Sequence, residues 1–332
     1  MSSDNFREFA YTVNATDPKI QKFLGPRTVL TRLTVATAAN GQILQLNAPY
    51  ANATYEQEFY GPTVRCEDAN ATTATIIDAT AAKRFAQLDP SVRMVSNDFI
   101  AFVPALSERN TSAPDVPMAD LTDNNGGSRA SNQIWIRISQ TDLEHPNRDV
   151  TVAEDYRYLI CEVHNATYNV NFTWSNGVQT IHNSSIQTMG PVPHPTTVSY
   201  SAADQVNTAY SAFMWALNTQ IVGHLSFFQD VSSENDTAVD VNAGRIYSEI
   251  ATNMEQSSLL GSSSLDSFFI KNHLLGNPDD PTLFSTQRLF DKAFARNRTL
   301  GVLIEELGFN VTMGLLSNPN FAWALTLLFC HL

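Results

Sequence analysis

The stretch YRYLICEVHNATYNVNFTWSNGVQTIH, residues 156–182, decides the fold class of this chain of 332 residues. Apolar and polar residues alternate through it, which is typical of a β-strand with one buried face. The apolar positions are Leu159, Cys161 and Val163, then Tyr168, Val170, Phe172 and Trp174. Asn176-Gly177 then gives the strongest short-range signal of a two-residue hairpin turn. We expect this turn to pair Phe172 with Ile181 and Trp174 with Gln179.

The apolar face of this strand changes parity between Val163 and Tyr168. A shift of one residue would turn every following side chain to the other face of the sheet. We therefore expect a bulge or turn at His164–Ala166 to absorb the change. This arrangement places Asn165 at an exposed irregularity and Asn171 on the outer face of the strand.

Shorter runs before this hairpin also predict strands, because they are rich in β-formers and are separated by turn residues. These runs are Gly41–Asn47, Thr54–Tyr60, Thr63–Glu67, Asp98–Pro104 and Gln133–Ser139. One helical stretch, Thr75–Leu88, interrupts the series. Residues 1–188 are therefore predicted to form a β-rich part, an antiparallel sandwich or a barrel-like sheet.

The hydrophobic period changes after Met189–Pro195, where three prolines within five residues stop both helix and sheet. We interpret residues 189–200 as a linker and residues 201–320 as a helical part that packs against the β part. The predicted helices are Asp204–Phe228, Arg245–Glu255 and Thr282–Leu307, the last with Gly301 as a candidate interruption. Ser257–Ser267 is predicted to be a serine-rich connector. The fold class expected from these patterns is α+β.

The two ends of the chain carry no complete targeting or anchoring signal. Met1–Pro26 lacks the apolar core of a signal peptide. Residues 321–332, Phe321–Leu332, are strongly apolar but number only 12, whereas a membrane-spanning helix needs about 20. We expect the chain to be truncated or mis-bounded, with this tail as part of an anchor. Membrane attachment would then use segments absent from this chain.

The net charge of −13 opposes binding to nucleic acid, because such binding needs Lys and Arg to neutralise phosphates. It equally opposes electrostatic docking on anionic lipid. Of the three cysteines, Cys66 and Cys161 lie in strand-like segments and Cys330 lies in the apolar tail. We predict a disulfide between Cys66 and Cys161 in an oxidising compartment. The alternative is two buried free thiols.

The chain contains ten Asn-x-Ser/Thr sequons without proline at the middle position, where about five would arise by chance. This excess favours folding in the secretory pathway and an N-glycosylated surface. The alternative is a set of accidental matches in an intracellular protein. Asn297 is the weakest site, because it falls in a predicted helix. The ten sites are Asn14, Asn52, Asn70, Asn110, Asn165, Asn171, Asn183, Asn235, Asn297 and Asn310.

No catalytic, cofactor or metal motif is recognisable, so the expectation is no cofactor, no metal site and no catalytic residue. The run Asp120–Gly127 resembles a calcium loop, but Leu121 or Thr122 falls where the first acidic ligand belongs. Glu162 and His164 could form an acid–base pair, and we interpret them instead as a solvated polar face. A spatial pair of carboxylates for glycoside hydrolysis leaves no signature in the sequence.

Five stretches of the chain resemble a family of uncharacterised filamentous-fungal membrane proteins with a large glycosylated ectodomain. The resemblance implies an ectodomain followed by a membrane-spanning helix, and it implies no activity. The stretch at residues 158–181 is the most specific of the five. The stretches are Glu58–Asn70 (EFYGPTVRCEDAN), Asn97–Ala105 (NDFIAFVPA), Gln133–Ile138 (QIWIRI), Tyr158–Ile181 (YLICEVHNATYNVNFTWSNGVQTI) and Asn310–Pro319 (NVTMGLLSNP).

The function expected from the sequence is that of an extracellular glycoprotein ectodomain, with a non-enzymatic interaction or structural role. Its partner is unknown, and a component of the cell wall or a membrane protein is the candidate. The alternative from another class is a secreted carbohydrate-active hydrolase with an unidentified pair of carboxylates.

Overall fold

The computed structural model describes residues 9–14, 20–45, 50–85, 92–104, 132–140, 155–194, 198–199, 201–230, 246–275 and 282–316. Within them the chain forms ten β-strands and six α-helices. The strands are β1 (Ala10–Asn14), β2 (Ile20–Pro26), β3 (Ala53–Asp68), β4 (Val92–Phe102), β5 (Gln133–Gln140), β6 (Asp155–Ser175), β7 (Val178–Pro191), β8 (Val198–Ser199), β9 (Gly223–Asp230) and β10 (Ile246–Thr252). The helices are α1 (Thr28–Asn40), α2 (Ala71–Phe85), α3 (Ala202–Ile221), α4 (Asp266–Leu275), α5 (Thr282–Ala295) and α6 (Leu300–Leu315).

The main sheet has seven antiparallel strands in the order β10-β9-β4-β5-β6-β3, with β7 also paired to β6. β6 is 21 residues long and pairs with β3 along one edge. Its other edge is shared, first by β5 and then by β7. In the described part of the chain the sheet is open and does not close into a barrel, and helices cover it. The predicted class, mixed α and β with a large antiparallel sheet, is therefore confirmed. Strands β1, β2 and β8 form a separate small sheet.

The predicted hairpin is confirmed in its register. Phe172 lies opposite Ile181 and Trp174 lies opposite Gln179 in the β6–β7 pair. Asn176 and Gly177 both have positive φ, 52° and 80°, as the two-residue turn requires.

The change of parity in β6 is also confirmed, and β3 changes parity at the same level. The buried residues of β6 are Leu159, Cys161 and Val163 before the change, and Ala166, Tyr168, Val170, Phe172 and Trp174 after it. The pairing with β3 continues without a shift, whereas the β6–β7 register shifts between Asn165 and Ala166. At this level the Pro62 carbonyl accepts hydrogen bonds from Tyr168 Oη (2.6 Å) and Thr312 Oγ1 (2.8 Å). The irregular backbone is therefore satisfied by side chains.

The predicted disulfide is present between Cys66 and Cys161, which lie directly opposite each other on β3 and β6. Their Cα atoms are 4.0 Å apart, well inside the limit of about 7 Å for a disulfide. The Cys66 N–H donates to Glu305 Oε1 of α6 (2.8 Å). The bridge therefore lies where the edge strand also meets a helix.

Helix α6 covers β3 on one face of the sheet. Gly308 permits this contact, because a Cβ atom there would lie 2.9 Å from Val64 Cγ2. Apolar residues recur along α6 at helical spacing and join α3 and β5 in the largest buried cluster. Its members include Leu303, Ile304, Leu307 and Val311 of α6, Phe213, Leu217 and Ile221 of α3, and Ile134, Ile136 and Ile138 of β5.

Helix α2 packs on the other face of the sheet, where Ile77, Ala81 and Phe85 meet Phe102 and Trp135. A polar contact fixes the same helix. Asp78 accepts from Arg137 Nη1 (3.0 Å) and from Tyr158 Oη (2.6 Å). β5 is therefore buried on both faces, which explains why Trp135 is only 4% exposed.

Two helix predictions in the second half of the chain were wrong in part. The predicted helix Asp204–Phe228 ends at Ile221, and its last turns are strand β9. Gly223 has φ +141°, and a Cβ atom there would lie 2.0 Å from the Ala251 carbonyl oxygen. Pairing with β10 therefore requires glycine here, and the helix cannot continue through it.

The segment Arg245–Glu255 was predicted to be a helix, and Ile246–Thr252 is instead the edge strand β10. Pairing with β9 over its full length overrides the weak helical pattern. β9 and β10 thus extend the same sheet that the first half of the chain begins.

Three smaller differences concern ends and breaks. The predicted helix Thr282–Leu307 is two helices, α5 and α6, separated at Arg296 and Asn297, which have positive φ. Gly301 is not the interruption, because it lies inside α6. Gly41–Gln45 is not a strand, and Gly41 instead ends the unpredicted helix α1 with φ +63°. The expected helix Thr75–Leu88 is α2, which begins earlier, at Ala71.

Candidate functional site

A cavity of about 270 Å³, lined mainly by residues with polar side chains, lies at the end of β5, where the pairing with β4 ends. We call it the serine cavity. It is lined by Ile138, Ser139, Gln140, Arg157, Ser263, Ser264, Asp266, Ser267 and Thr299. Five of these nine residues carry a hydroxyl group, and only Ile138 is apolar. The walls come from β5, from β6, from the last 3₁₀ turn together with the first turn of α4, and from the N-cap residue of α6.

The serine-rich segment that forms one wall is a series of three 3₁₀ turns. Each turn is capped by a hydroxyl that accepts from a backbone N–H: Thr252 from Met254, Ser257 from Leu259, and Ser262 from Ser264. Such local hydrogen bonds favour caps and turns over long helices. Leu259, Leu260 and Leu265 anchor the turns in the core. The predicted connector Ser257–Ser267 is therefore an ordered wall.

A second wall is the break between α5 and α6. Ser262 Oγ (3.3 Å), Ser263 Oγ (3.1 Å) and Ser263 N (3.0 Å) all donate to the Arg298 carbonyl. The Leu300 N–H in turn donates to Ser264 Oγ (3.1 Å). These bonds fix the serine turns against the start of α6. Thr299 occupies the N-cap position of α6, and its side chain makes no capping hydrogen bond.

The charged groups of the cavity are paired. Asp266 contacts the guanidinium of Arg288 and the ammonium of Lys292 (3.0 Å). Burial lowers the pKa of Arg288, and the neighbouring Asp266 carboxylate acts against that shift. On the other wall, Arg157 Nε donates to Asp68 Oδ1 at 2.7 Å.

A buried ion pair lies behind the cavity. Lys271 Nζ is 2.8 Å from Asp98 Oδ1, and their side chains are 9% and 2% exposed. Ser267 Oγ donates to Asp98 Oδ1 (3.2 Å) and Ser96 Oγ donates to Asp98 Oδ2 (3.0 Å). Ser267 thus links the buried pair to the cavity wall.

The sequons whose surroundings are described differ in access. Asn52, Asn70 and Asn297 are exposed, and Asn165 and Asn171 are partly buried. Asn52 Oδ1 accepts from Asn176 N (3.0 Å), and Asn70 Oδ1 accepts from Thr73 N (2.9 Å). N-glycosylation replaces a hydrogen on Nδ2. Both hydrogen bonds use Oδ1, so they leave Nδ2 of each asparagine available for the glycan.

Asn310 differs, because it is only 6% exposed and its Nδ2 donates to the Gly41 carbonyl (3.2 Å). Asn297 was expected in a helix, and it lies instead in the exposed turn before α6, with φ +60°. Asn14 and Asn183 lie in β1 and β7. Asn110 and Asn235 fall outside the described residues.

Glu162 and His164 lie on one strand face, as predicted, with His164 Nε2 3.9 Å from Glu162 Oε2. Gln133 Nε2 donates to Glu162 Oε1 (2.8 Å), and neither residue lines the serine cavity. Asp266 is the only acidic residue among the described lining residues.

The described part of the chain holds no group of three or more His, Cys, Asp or Glu side chains that could bind a metal ion. The segment Asp120–Gly127 lies outside that part. Among the described helices, none is long and apolar enough to cross a membrane.

Sequence reasoning missed the cavity, because its walls are separated by more than a hundred residues along the chain. The serine-rich run at residues 257–267 was the one signal in the sequence for a polar site. The site becomes visible only once the strands and the helix end that face this run are known. No family model, curated protein or solved structure matches this chain. Its function is therefore inferred from its own geometry.

Proposed function

We propose that this chain is the N-glycosylated extracellular domain of a cell-surface or membrane protein, of the filamentous-fungal kind noted above, and that it acts by binding. The disulfide between Cys66 and Cys161 carries the proposal. Disulfides persist in oxidising compartments and are rare in the cytosol. The bridge joins two paired strands, so it belongs to the folded sheet.

The exposed sequons support the same location. Asn52, Asn70 and Asn297 present their side chains at the surface, where an attached glycan meets no packed core. Their positions are spread over the chain, at the start of β3, before α2 and before α6. A glycan at each is compatible with the fold.

A binding role is better supported than hydrolysis. Glycoside hydrolysis uses two carboxyl groups on either side of the bond that breaks. The serine cavity offers Asp266, and both Arg288 and Lys292 already contact that carboxylate. Hydroxyl groups make up most of its remaining polar wall, and these bind and orient a ligand.

Secretion from a eukaryotic host tests the location. We expect the secreted protein to lose mass on treatment with peptide N-glycosidase, and the variant N52Q/N70Q/N297Q to lose less. Asn40→Gln, an exposed asparagine outside any sequon, serves as the control. Glycopeptide mapping should find Asn310 unmodified, because its amide is buried and bonded.

Non-reducing peptide mapping of the same material should recover Cys66 and Cys161 in one disulfide-linked pair. Secreted protein with both thiols free and no mass change after glycosidase treatment would contradict the proposal.

A further inference from the structure

We propose that the serine cavity binds a neutral polyhydroxylated small molecule the size of one sugar ring. The cavity combines paired charges, hydroxyl groups of both hydrogen-bonding kinds and a small volume. Each of these features narrows the class of ligand.

The paired charges disfavour a charged ligand. An anion would meet the carboxylate of Asp266, and a cation would meet the guanidinium of Arg157. Both groups already have partners, Arg288 and Lys292 for Asp266 and Asp68 for Arg157. Binding an ion would leave its charge partly desolvated without a free counter-charge in these walls.

The hydroxyl groups of the wall offer donors and acceptors side by side. Ser264 Oγ accepts from Leu300 N, so its proton is available to a ligand. Thr299 makes no capping bond and can both donate and accept. The hydroxyl groups of a ligand match such a wall, because the oxygen of a hydroxyl group can both donate and accept a hydrogen bond.

Gln140 adds hydrogen-bonding capacity to this wall. It is exposed at the cavity and carries an amide group that can both donate and accept.

The volume limits the size of the ligand. About 270 Å³ equals the liquid volume of about nine water molecules. It lies slightly below the range of about 300–1,000 Å³ for pockets that enclose drug-sized ligands. One sugar ring fits this volume, with Ile138 as the apolar contact for its C–H groups.

The experiment is calorimetric titration of the whole protein with D-glucose, D-galactose, D-mannose and N-acetyl-D-glucosamine. Inorganic phosphate and ethylammonium serve as the anionic and cationic probes. Thr299 is also the third residue of the sequon at Asn297, so substituting it would remove a glycan as well. All proteins in this experiment therefore carry Asn297→Gln, so that the Thr299 variant differs from its reference only in the cavity. The inference concerns the cavity alone and is tested separately from glycosylation.

The cavity variants are Gln140→Leu and Thr299→Val. Their controls are Gln187→Leu and Thr180→Val, which make the same changes at exposed positions of β7. We expect at least one sugar to bind with a millimolar Kd, and each cavity variant to weaken it by about fivefold, the effect of one hydrogen bond. The controls should stay within twofold.

Three results would overturn the inference. They are the absence of binding by all four sugars, tighter binding of phosphate or ethylammonium than of any sugar, and sugar binding that neither cavity variant weakens.

Discussion

Asp98 and Lys271 lie almost entirely out of water and contact each other at 2.8 Å. Two serine hydroxyls, of Ser96 and Ser267, also donate to the carboxylate of Asp98. A buried pair of this kind adds little net stability compared with apolar residues of the same size, whereas removing one partner is costly. Removing one residue of the pair is therefore expected to destabilise the protein more than replacing both residues by apolar ones.

Lys271→Met should lower the free energy of unfolding by about 3–5 kcal/mol, because it leaves the Asp98 charge buried without its lysine. Lys292→Met is the matched control. That lysine is 44% exposed beside Asp266, so its loss should cost at most about 1 kcal/mol. Denaturant unfolding measures both. Equal costs for the two variants would show that the Asp98 site is wetter than its burial indicates.

Tyr168 predicts how stability responds to alkaline pH. Burial raises its pKa to about 12, from an unfolded value of about 10. The folded state therefore retains the phenol proton of Tyr168 to a higher pH than the unfolded state does. Its contribution is fully present below pH about 10 and is lost as the pH rises towards 12.

In Tyr168→Phe the free energy of unfolding should fall less steeply between pH 10 and 12, by up to about 1.4 kcal/mol per pH unit. Tyr50→Phe, at a tyrosine that is 71% exposed, should leave the slope unchanged. Denaturant titrations at several pH values give both slopes. An unchanged slope in Tyr168→Phe would mean that this phenol titrates normally.

At the scale of elements, the ladder between β3 and β6 joins the disulfide, the parity change and the contact with α6. The bridge closes a loop with a sequence separation of 95 residues. Removing it with Cys66→Ala and Cys161→Ala together should lower the free energy of unfolding by about 4–5 kcal/mol in the chain-entropy model. Reductant should destabilise the wild type and leave the double variant unaffected. A double variant as stable as the oxidised protein would contradict this.

The sequence predicted those elements in which local pattern and tertiary contact agree. The hairpin at Asn176-Gly177 was predictable with its register, because a two-residue turn fixes which residues face each other. Helix α2 and strand β5 were predictable from their periods. The disulfide followed from the strand context of its cysteines.

The prediction from sequence was wrong where the spacing of apolar residues fits both a helix and a strand. Leu217, Ile221, Leu225 and Phe228 continue a helical spacing, yet Leu225 and Phe227 also share one face of β9 with the core. Gly223 was the missed signal, because its backbone conformation is left-handed. β10 could not be predicted locally, since its partner β9 supplies its ladder of hydrogen bonds. Predicting the cavity would have required the relative positions of the four separate segments that line it.

For the whole molecule, the division near residue 189 describes a change of local pattern, and the sheet crosses it. β9 and β10 come from the second half and pair with β4 from the first. α3 and α6 complete the largest core cluster. The halves therefore share their hydrophobic core.

We expect the chain to unfold in one cooperative transition by calorimetry. A fragment of residues 1–194 should lack a stable fold, bind the dye ANS and show no sigmoidal unfolding, because it exposes the faces that β9, α3 and α6 cover. The full chain prepared in the same way is the control. A fragment that unfolds cooperatively by itself would establish two independent domains.

The bridge between Cys66 and Cys161 also limits how far the polypeptide can be stretched. At about 3.6 Å per extended residue, the 95-residue separation hides about 340 Å of contour length from a pulling force. A surface protein under tension would therefore extend by that much less while the bridge is intact. Reduction of this single bond would release the hidden length, so the redox state of its surroundings would set the reach of the unfolded chain.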